Sequence, residues 1–391
     1  MRIAIVGYGT AGQTAAIFLA RGGHEIDVFE RSPELQPVGA GFLLQPTGLG
    51  VLDALGLRQH AIACGQRIDR LYGSNVADRM VMDMRYSDLD AARYGLGMTR
   101  GALFDLLHQC CRPLARIHCG SQVIAVDGDG HVHIEGSGSE PRRFDLIVVA
   151  DGAHSRLRAA SGLVRHDPPY PWGAMWCLLP AEGWPYRHEL RQRYAGTRRM
   201  LGVLPVGRQP GQTEGNGWLT FYYSLPGRMV DQFGPEHIER MRADVRELWP
   251  ELMPQISHLN DPACMRRARY RDVRLRRPWV GRCVFIGDAA HGMSPQLGQG
   301  VNMALLDAQA LAVAMAAHPD LDTALPAFAR ERRRHVAIYQ FLSRWLTPLF
   351  QSDHTWLGPL RDLCFGPAGR LPFARNQMLR ILAGEKRRLL S

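Results

Sequence analysis

The apolar run Arg2-Ile3-Ala4-Ile5-Val6 passes directly into Gly7-Tyr8-Gly9-Thr10-Ala11-Gly12, and a helix-like stretch from Gln13 to Arg21 follows. Strand, glycine turn and helix in that order leave few architectures open. Glycines at this spacing permit a sharp turn, a close approach of backbone to a pyrophosphate, and close packing of helix on strand. The start of the helix adds unpaired N–H groups and the positive end of its dipole. A second strand, Glu25 to Phe29, ends at Glu30, whose carboxylate suits the hydroxyls of an adenosine ribose and repels a 2′-phosphate. This context favours FAD or NAD, not NADP, over a plain glycine-rich turn.

A second signal separates those two. Cys283-Val284-Phe285-Ile286 reads as a short buried strand closed by Gly287-Asp288, and the loop Gly292 to Gly298 leads into an alanine-rich helical stretch, Gly300 to Ala316. A carboxylate at the strand end can hold a polyol hydroxyl, and nicotinamide dinucleotides have no ribitol chain. The dipole of the following helix can stabilise negative charge on a reduced flavin ring. The alternative is a Gly/Pro loop before a core helix.

Three segments in order, Gly7-x-Gly9-x-x-Gly12 with Glu30, Asp151-Gly152-Ala153-His154-Ser155-Arg156-Leu157-Arg158, and Gly287-Asp288-Ala289-Ala290-His291, resemble the fingerprints of the para-hydroxybenzoate hydroxylase-like, single-component (class A) FAD monooxygenases. The resemblance covers about residues 1 to 330. It implies a cofactor-binding set of Gly7, Gly9, Thr10, Ala11, Gly12, Glu30, Arg31, Gly41, Arg100, Val123, Asp151, Arg158, Gly287, Asp288, Pro295, Gly298, Gly300, Val301 and Asn302. Within that set, Asp151 and Arg158 lie beside the pyrophosphate and affect nicotinamide binding. Arg100, opening a helix after Gly97-Met98-Thr99, reaches the phosphate or ribitol. Without the family, Asp145 to Ala150 is a buried strand ending in a common Asp-Gly turn, and the alternative for Arg100 is a solvated first-turn arginine. Gly39 to Pro46 resembles the family's second glycine loop, near the isoalloxazine. Gln45-Pro46-Thr47-Gly48 departs from the usual proline-asparagine pair there, which leaves the role of Gln45 open.

The implied activity is a monooxygenase that uses NADH or NADPH as a transient co-substrate and dioxygen to hydroxylate or epoxidise an electron-rich aromatic small molecule through a flavin C4a-hydroperoxide. FAD is expected to be held non-covalently. A single Gly-x-Gly-x-x-Gly unit gives the nicotinamide donor no Rossmann domain of its own, and the Cys-x-x-x-x-Cys of disulfide reductases is absent. Trp176-Cys177-Leu178-Leu179-Pro180 does not match the Trp-x-Trp-x-Ile-Pro element of tryptophan-type halogenases. An FAD-dependent reductase or dehydrogenase of an isoprenoid or other ring, and a non-catalytic flavin-binding protein, stay open. No general base is identified; Tyr222, Tyr223 and Arg193 are the polar candidates, and His291 reads as structural support for the flavin loop. Tyr222 and Tyr223 alternate across a strand, so only one faces the cavity. Trp176 and Phe221 to Tyr223 are expected to make that cavity flat and apolar.

The expected fold is α/β: a Rossmann-type FAD-binding domain (1–70, 96–165 and 276–330), an inserted, mainly antiparallel α+β substrate domain (71–95 and 166–275), and C-terminal helices (331–391). Strands are expected at Gly173–Leu179, Met200–Leu204 and Trp218–Tyr223, a helix at Pro235–Leu248, and a hairpin loop at Gly207–Gly217. Ala337 to Leu346 suits a substrate entrance, a dimer face, a packing helix or a membrane surface. The formal charge of +10 comes almost wholly from arginine, the only lysine being Lys386, without a basic tract interleaved with aromatics; nucleic acid is not an expected partner. Eight scattered cysteines lack Cys-x-x-Cys or zinc-ligand spacing, which points to a reduced, cytoplasmic protein without metal. A strand starting at residue 2 leaves no room for a signal peptide, and no uncharged stretch has transmembrane length. A monomer or homodimer is expected.

Overall fold

The computed structural model describes residues 1–35, 39–136, 140–212, 215–369 and 371–387. Its first sheet has six strands in the order Trp279–Val280, Cys283–Phe285, Leu146–Val149, Arg2–Val6, Glu25–Phe29 and Arg116–His118, the last five mutually parallel. Short, near-continuous apolar runs suit a parallel sheet covered on both faces. Ile3, Ile5, Val148 and Val284 pack under the helices Thr10–Arg21 and Gly300–Ala317, while Ala4, Val6, Val149 and Phe285 pack against Val132 and Phe144 of a small antiparallel layer. The alternation along each strand thus divides one sheet between two cores.

The second sheet has seven strands, ordered Arg266–Ala268, Trp172–Pro180, Trp218–Pro226, Arg199–Val206, Glu189–Ala195, Arg70–Asn75 and Met80–Arg85. Its pairs are antiparallel except that between Glu189–Ala195 and Arg70–Asn75. All three expected aromatic strands are present and extend further than their apolar cores. Glu189–Ala195 escaped notice because Glu-Leu-Arg-Gln-Arg-Tyr-Ala shows no apolar alternation; Arg191 instead stacks over Tyr72 and Tyr186. The helix Pro235–Leu248 covers one face through Ile238, Met241 and Val245. The other face carries Leu178, Leu204, Val206 and Tyr222 toward a three-stranded layer, Gly41–Leu44, Gly95–Thr99 and Gln66–Ile68. Gly97 makes this contact close, since a Cβ there would lie 1.9 Å from the Pro205 carbonyl oxygen. The expected loop at Gly207–Gly217 joins two paired strands, though its residues 213–214 fall outside the described residues, as do 370 and 388–391 of the C-terminal segment. The helix Leu321–Phe350 runs across the expected boundary at 330, and the segment beyond it adds the helices Leu357–Ala368 and Pro372–Leu382.

Gly300–Ala317 has the length and apolarity of a membrane span, yet it lies against Thr10–Arg21 on one side and Leu321–Phe350 on the other. It also carries buried Asp307. That carboxylate accepts from the Gly287 N–H at 2.9 Å, His291 Nε2 at 2.5 Å and Arg332 Nε at 2.7 Å. Arg332 also donates to His335 Nδ1 at 2.8 Å, so the proton of His335 sits on Nε2, which donates to the Gly384 carbonyl at 2.9 Å. Burial works against a charged Asp307, but His291 and Arg332 outweigh it and hold the carboxyl well below its usual range. Burial and the Arg332 charge push the His335 imidazole down to about 4.

The pH dependence of folding follows from that depressed value. The unfolded chain takes a proton at His335 near the ordinary 6.5, the folded chain only near 4, so this stability is present above about 6.5 and is lost as pH falls toward 4. On the order of 3 kcal/mol is at stake, at 1.36 kcal/mol per pH unit. His335→Gln, which can keep both hydrogen bonds, should flatten the decline in thermal midpoint across that window. A decline as steep as in the parent protein contradicts the assignment. His291, raised by Asp307 against its burial, acts with opposite sign, its contribution being lost as pH rises above its unfolded value.

Candidate active site

Register brings the fingerprints together. Val6 lies opposite Phe29 and Val149, and Val149 opposite Phe285, so Gly7, Glu30, Asp151 and Gly287 open on the one rim where the parallel strands end. Ligands of open parallel sheets bind outside that rim. Gly7 has φ +100°, and a Cβ there would meet the Ala150 oxygen at 2.5 Å; at Gly12 it would meet the Gly7 oxygen at 1.9 Å; at Gly9 nothing lies within 4 Å. Gly7 and Gly12 therefore serve packing, while Gly9 faces open space of the kind a diphosphate needs. Gly287, at φ +60°, sits so close to the first helix that a Cβ would lie 3.0 Å from that of Ala11.

The polar groups on the rim are under-used. Glu30 accepts from the N–H groups of Tyr8 at 2.8 Å and Ser32 at 2.9 Å, one on each oxygen, leaving a lone pair on each for ribose hydroxyls. Asp288 is exposed, and its carboxylate takes no hydrogen bond among the described residues. Oδ1 of Asp151 is buried without a partner among the described residues. Burial pushes its carboxyl up, offset in part by Ser155, Arg158 and Arg31. Arg31 and Arg100 are exposed and make no ion pair among the described residues. Helices Thr10–Arg21 and Gly300–Ala317 both begin without a side-chain cap. Carboxylates for hydroxyls, guanidinium groups for a diphosphate and two open helix N-termini fit FAD.

On the ring side, Asn302 is fully buried and fastens two loops together. Its Oδ1 accepts from the Gln45 N–H at 2.9 Å and its Nδ2 donates to the carbonyls of Leu43 and Gly298 at 3.3 and 3.1 Å. The Gln45 side chain accepts from the Tyr86 hydroxyl at 2.6 Å. The turn Pro295–Leu297 ends at Gly298, left-handed at φ +61°, and delivers the chain to Gly300 and Val301 at the uncapped helix start.

The profile of the FAD binding domain family matches residues 1–338. The chain belongs to this family, the single-component FAD-dependent monooxygenases. It is 32% identical over 335 residues to 3-amino-4-hydroxybenzoate 2-monooxygenase of Streptomyces cremeus, covering 82% of this chain and 79% of that protein. It is 29% identical over 370 residues to kynurenine 3-monooxygenase of Salinispora arenicola, covering 88% and 78%. The fold matches Klebsiella pneumoniae HpxO complexed with FAD and uric acid, with a TM-score of 0.81 at 20% identity, across 98% of this chain and 97% of that one.

Several expected roles change on inspection of this flavoenzyme's side chains. Arg158 does not reach outward. It is buried, with its guanidinium on Asp167 at 2.9 Å and on the carbonyls of Gly152, Ala153 and Ala289, so it fixes the middle fingerprint against the third. Asn302 likewise has its side chain spent on protein, leaving its backbone for a ligand. Val123 begins a strand paired with His131–Ile134 and packs into the smaller core.

The tyrosine ambiguity resolves by face. Tyr223 points to the helical side and donates to Asp244 at 2.5 Å, and Phe221 shares that core. Tyr222 points to the FAD side and donates to the Gly41 carbonyl. Arg193 is committed to Ser74 and Asp78 at the sheet edge. Tyr223, Phe221 and Arg193 thus drop out of the expected pocket. Tyr270 lies within electrostatic reach of Tyr222 and Arg100: burial pushes its phenol up to about 12, with Arg100 pulling the other way, and Tyr222 is raised by burial and by Tyr270. It escaped sequence reading because Arg-Tyr-Arg at 269–271 carries no periodic pattern. Trp176, directly opposite Tyr222, supplies the aromatic wall. A separate cavity of about 370 Å³, lined by Met80, Met82, Met84, Phe365 and Arg375 among others, contains none of these residues.

The glycines and carboxylates make distinct predictions. Gly12→Ala should abolish folding, whereas Gly9→Ala should leave the thermal midpoint of the apoprotein unchanged and lose FAD. Asp288→Ala should weaken FAD about 10- to 100-fold, as expected for a charged hydrogen bond of roughly 1.5–3 kcal/mol, also without moving the apoprotein midpoint. Glu30→Ala should lower both, since it leaves two N–H groups unpaired. Apoprotein titration with FAD and calorimetry check the set; a destabilised Asp288→Ala apoprotein would contradict the site geometry.

Proposed function

We propose that this protein hydroxylates a planar, electron-rich aromatic small molecule, using NADH or NADPH as a transient donor. The observation that carries this is the placement of Trp176 and Tyr222 side by side on one face of the substrate sheet, with the Tyr222 hydroxyl on the carbonyl of Gly41 in the neighbouring three-stranded layer. The aromatic compounds in the names of the relatives support the substrate class. With FAD bound, the chemistry supplied would be uptake of a hydride from the nicotinamide by the flavin and delivery of one dioxygen atom to the substrate, the other atom leaving as water. The cofactor set we assign is Gly9, Thr10, Ala11, Arg31, Arg100 and Asp151 toward the diphosphate end, with Glu30 and the main chain at Val123 toward the adenosine. Asp288 takes the ribitol, while Gly41, Pro295, Gly298, Gly300 and Val301 surround the ring.

The chain's own residues then divide the work. Trp176 and Leu178 form a wall that excludes water. The Tyr222 hydroxyl is spent on Gly41 and holds the loop at the ring. The Tyr270 phenol, protonated at neutral pH and without a hydrogen bond among the described residues, donates to a polar substituent of the substrate and so orients it. The cytoplasm is the compartment we assign, because a soluble nicotinamide donor and eight free thiols suit a reducing environment.

Substrate-stimulated oxygen consumption with phenols, indoles and quinolones, followed by product mass, tests the proposal. The expected result is slow donor oxidation without substrate, strong stimulation by one ring class and a product heavier by one oxygen. Reduction of a ring without oxygenation would assign the protein to the reductases instead. Tyr270→Phe should lower kcat/KM about tenfold, the value of one hydrogen bond, with the thermal midpoint unchanged. Tyr223→Phe should do the opposite, lowering the midpoint by several degrees because Asp244 loses its buried donor. The same effect of both substitutions on kcat/KM would refute the division of faces.

A further inference from the structure

The helix Leu357–Ala368 is inside out. Its charged residues face the protein: Arg361 is completely buried, donates to the carbonyls of Gly196 and Leu349 at 3.0 and 3.1 Å and stacks over Tyr194 and Phe350. Asp362 accepts from Asn75 at 2.7 Å. Its outer face is Trp356, Pro359, Leu360, Leu363, Cys364 and Pro367, all exposed and none charged. Leu363 is 72% exposed, and the tip leading to the next helix adds Leu371 and Phe373, the latter 74% exposed. Scattered single apolar residues need no explanation, but a contiguous set marks an interaction surface.

The preceding helix, Leu321–Phe350, packs against it and adds charge. Its exposed stripe runs from Arg330, Arg333 and Arg334 through Ala337 to Phe341 and Trp345. The three arginines make no ion pair among the described residues. Nearby Glu331 is taken by Arg387, and Asp353 by Arg198. An uncharged apolar face with exposed tryptophans, together with arginines on the adjoining helix that make no ion pair among the described residues, on a chain of net charge +10, complements an anionic apolar interface. A second copy is the poorer match, since a two-fold contact on this face would bring both arginine clusters to it without added acidic partners.

We propose that this C-terminal surface docks the protein on a lipid bilayer containing anionic headgroups, with Leu363, Leu371 and Phe373 entering the acyl boundary, Trp345 and Trp356 at headgroup level, and Arg330, Arg333 and Arg334 on the headgroups. Such monotopic binding combines buried apolar area with electrostatic attraction. It needs no spanning helix.

The test is flotation of the FAD-loaded, full-length protein with vesicles of phosphatidylcholine alone and of phosphatidylcholine with phosphatidylglycerol. Binding should require phosphatidylglycerol and weaken with salt. Leu363→Asp with Phe373→Asp should reduce it about tenfold or more, as should Arg330→Gln, Arg333→Gln and Arg334→Gln combined. Unchanged FAD content and thermal midpoint would show that these surface variants fold. On the unmodified protein, brominated acyl chains should quench part of the tryptophan emission. Absence of flotation, absence of quenching, or binding indifferent to both sets of substitutions overturns the proposal. So does a dimer in sedimentation equilibrium that Leu363→Asp dissociates while vesicles are ignored, which would give the face to a second copy.

Discussion

The carboxylate of Asp307 is the point on which the rest of the structure depends. It lies in the middle of an apolar helix that crosses the back of the FAD-binding sheet, and from there it holds the Gly287 N–H, His291 and Arg332 at once. Each of those belongs to a different part of the chain: the end of a core strand, the flavin-side loop and the long C-terminal helix. A buried carboxylate stripped of its partners is costly, and so is the buried Arg332 guanidinium stripped of the carboxylate. The loop carrying Asp288 is therefore positioned from behind, by an interaction that need not touch any ligand. The C-terminal helices are part of the same arrangement through His335 and the Gly384 carbonyl, which makes them a support of the site and not an appendage.

The substrate side is held by a different device. Gly41 and Gly97 lie so close to the seven-stranded sheet that side chains there would strike Thr220, Val206 and the Pro205 carbonyl. Close backbone packing fixes the spacing between the aromatic wall and the rim, and Asn302 fixes the loops on either side of the ring position relative to each other. These contacts explain why the sheet can be twisted and partly polar at its far edge, where Arg191 stacks between tyrosines, without loosening the face that matters for chemistry.

The first and third fingerprints were legible in the sequence because they are local: strand, glycine and carboxylate fall within a few residues, and the glycines answer to contacts that only glycine permits. The three aromatic strands were legible from composition. Side-chain direction was less so. Arg158 matches its motif and yet turns inward to Asp167, a partner nine residues on that no spacing rule marks. Tyr222 and Tyr223 were separable only once the helix Pro235–Leu248 was seen to occupy one face. Asp307 and Arg332 were invisible for a related reason: their pairing links two helices through the core, and an aspartate in an alanine-rich helix looks like an isolated exception.

The rim itself is built from groups left partly unsatisfied: Oδ1 of Asp151, the carboxylate of Asp288, the guanidinium groups of Arg31 and Arg100, and two uncapped helix starts. The exposed groups among them are hydrated in the empty fold, while the buried Oδ1 of Asp151, which has no partner among the described residues, costs it on the order of 1–3 kcal/mol. A ligand that satisfies them recovers that cost on binding, and by mass action it stabilises the native state in proportion to the logarithm of its concentration over its dissociation constant. Cofactor affinity and fold stability are for this reason two aspects of one arrangement. The glycines that pack the turn and the Asp307 cluster that backs the loop hold the rim in shape without the ligand, so that the unsatisfied groups stay aimed at the same space.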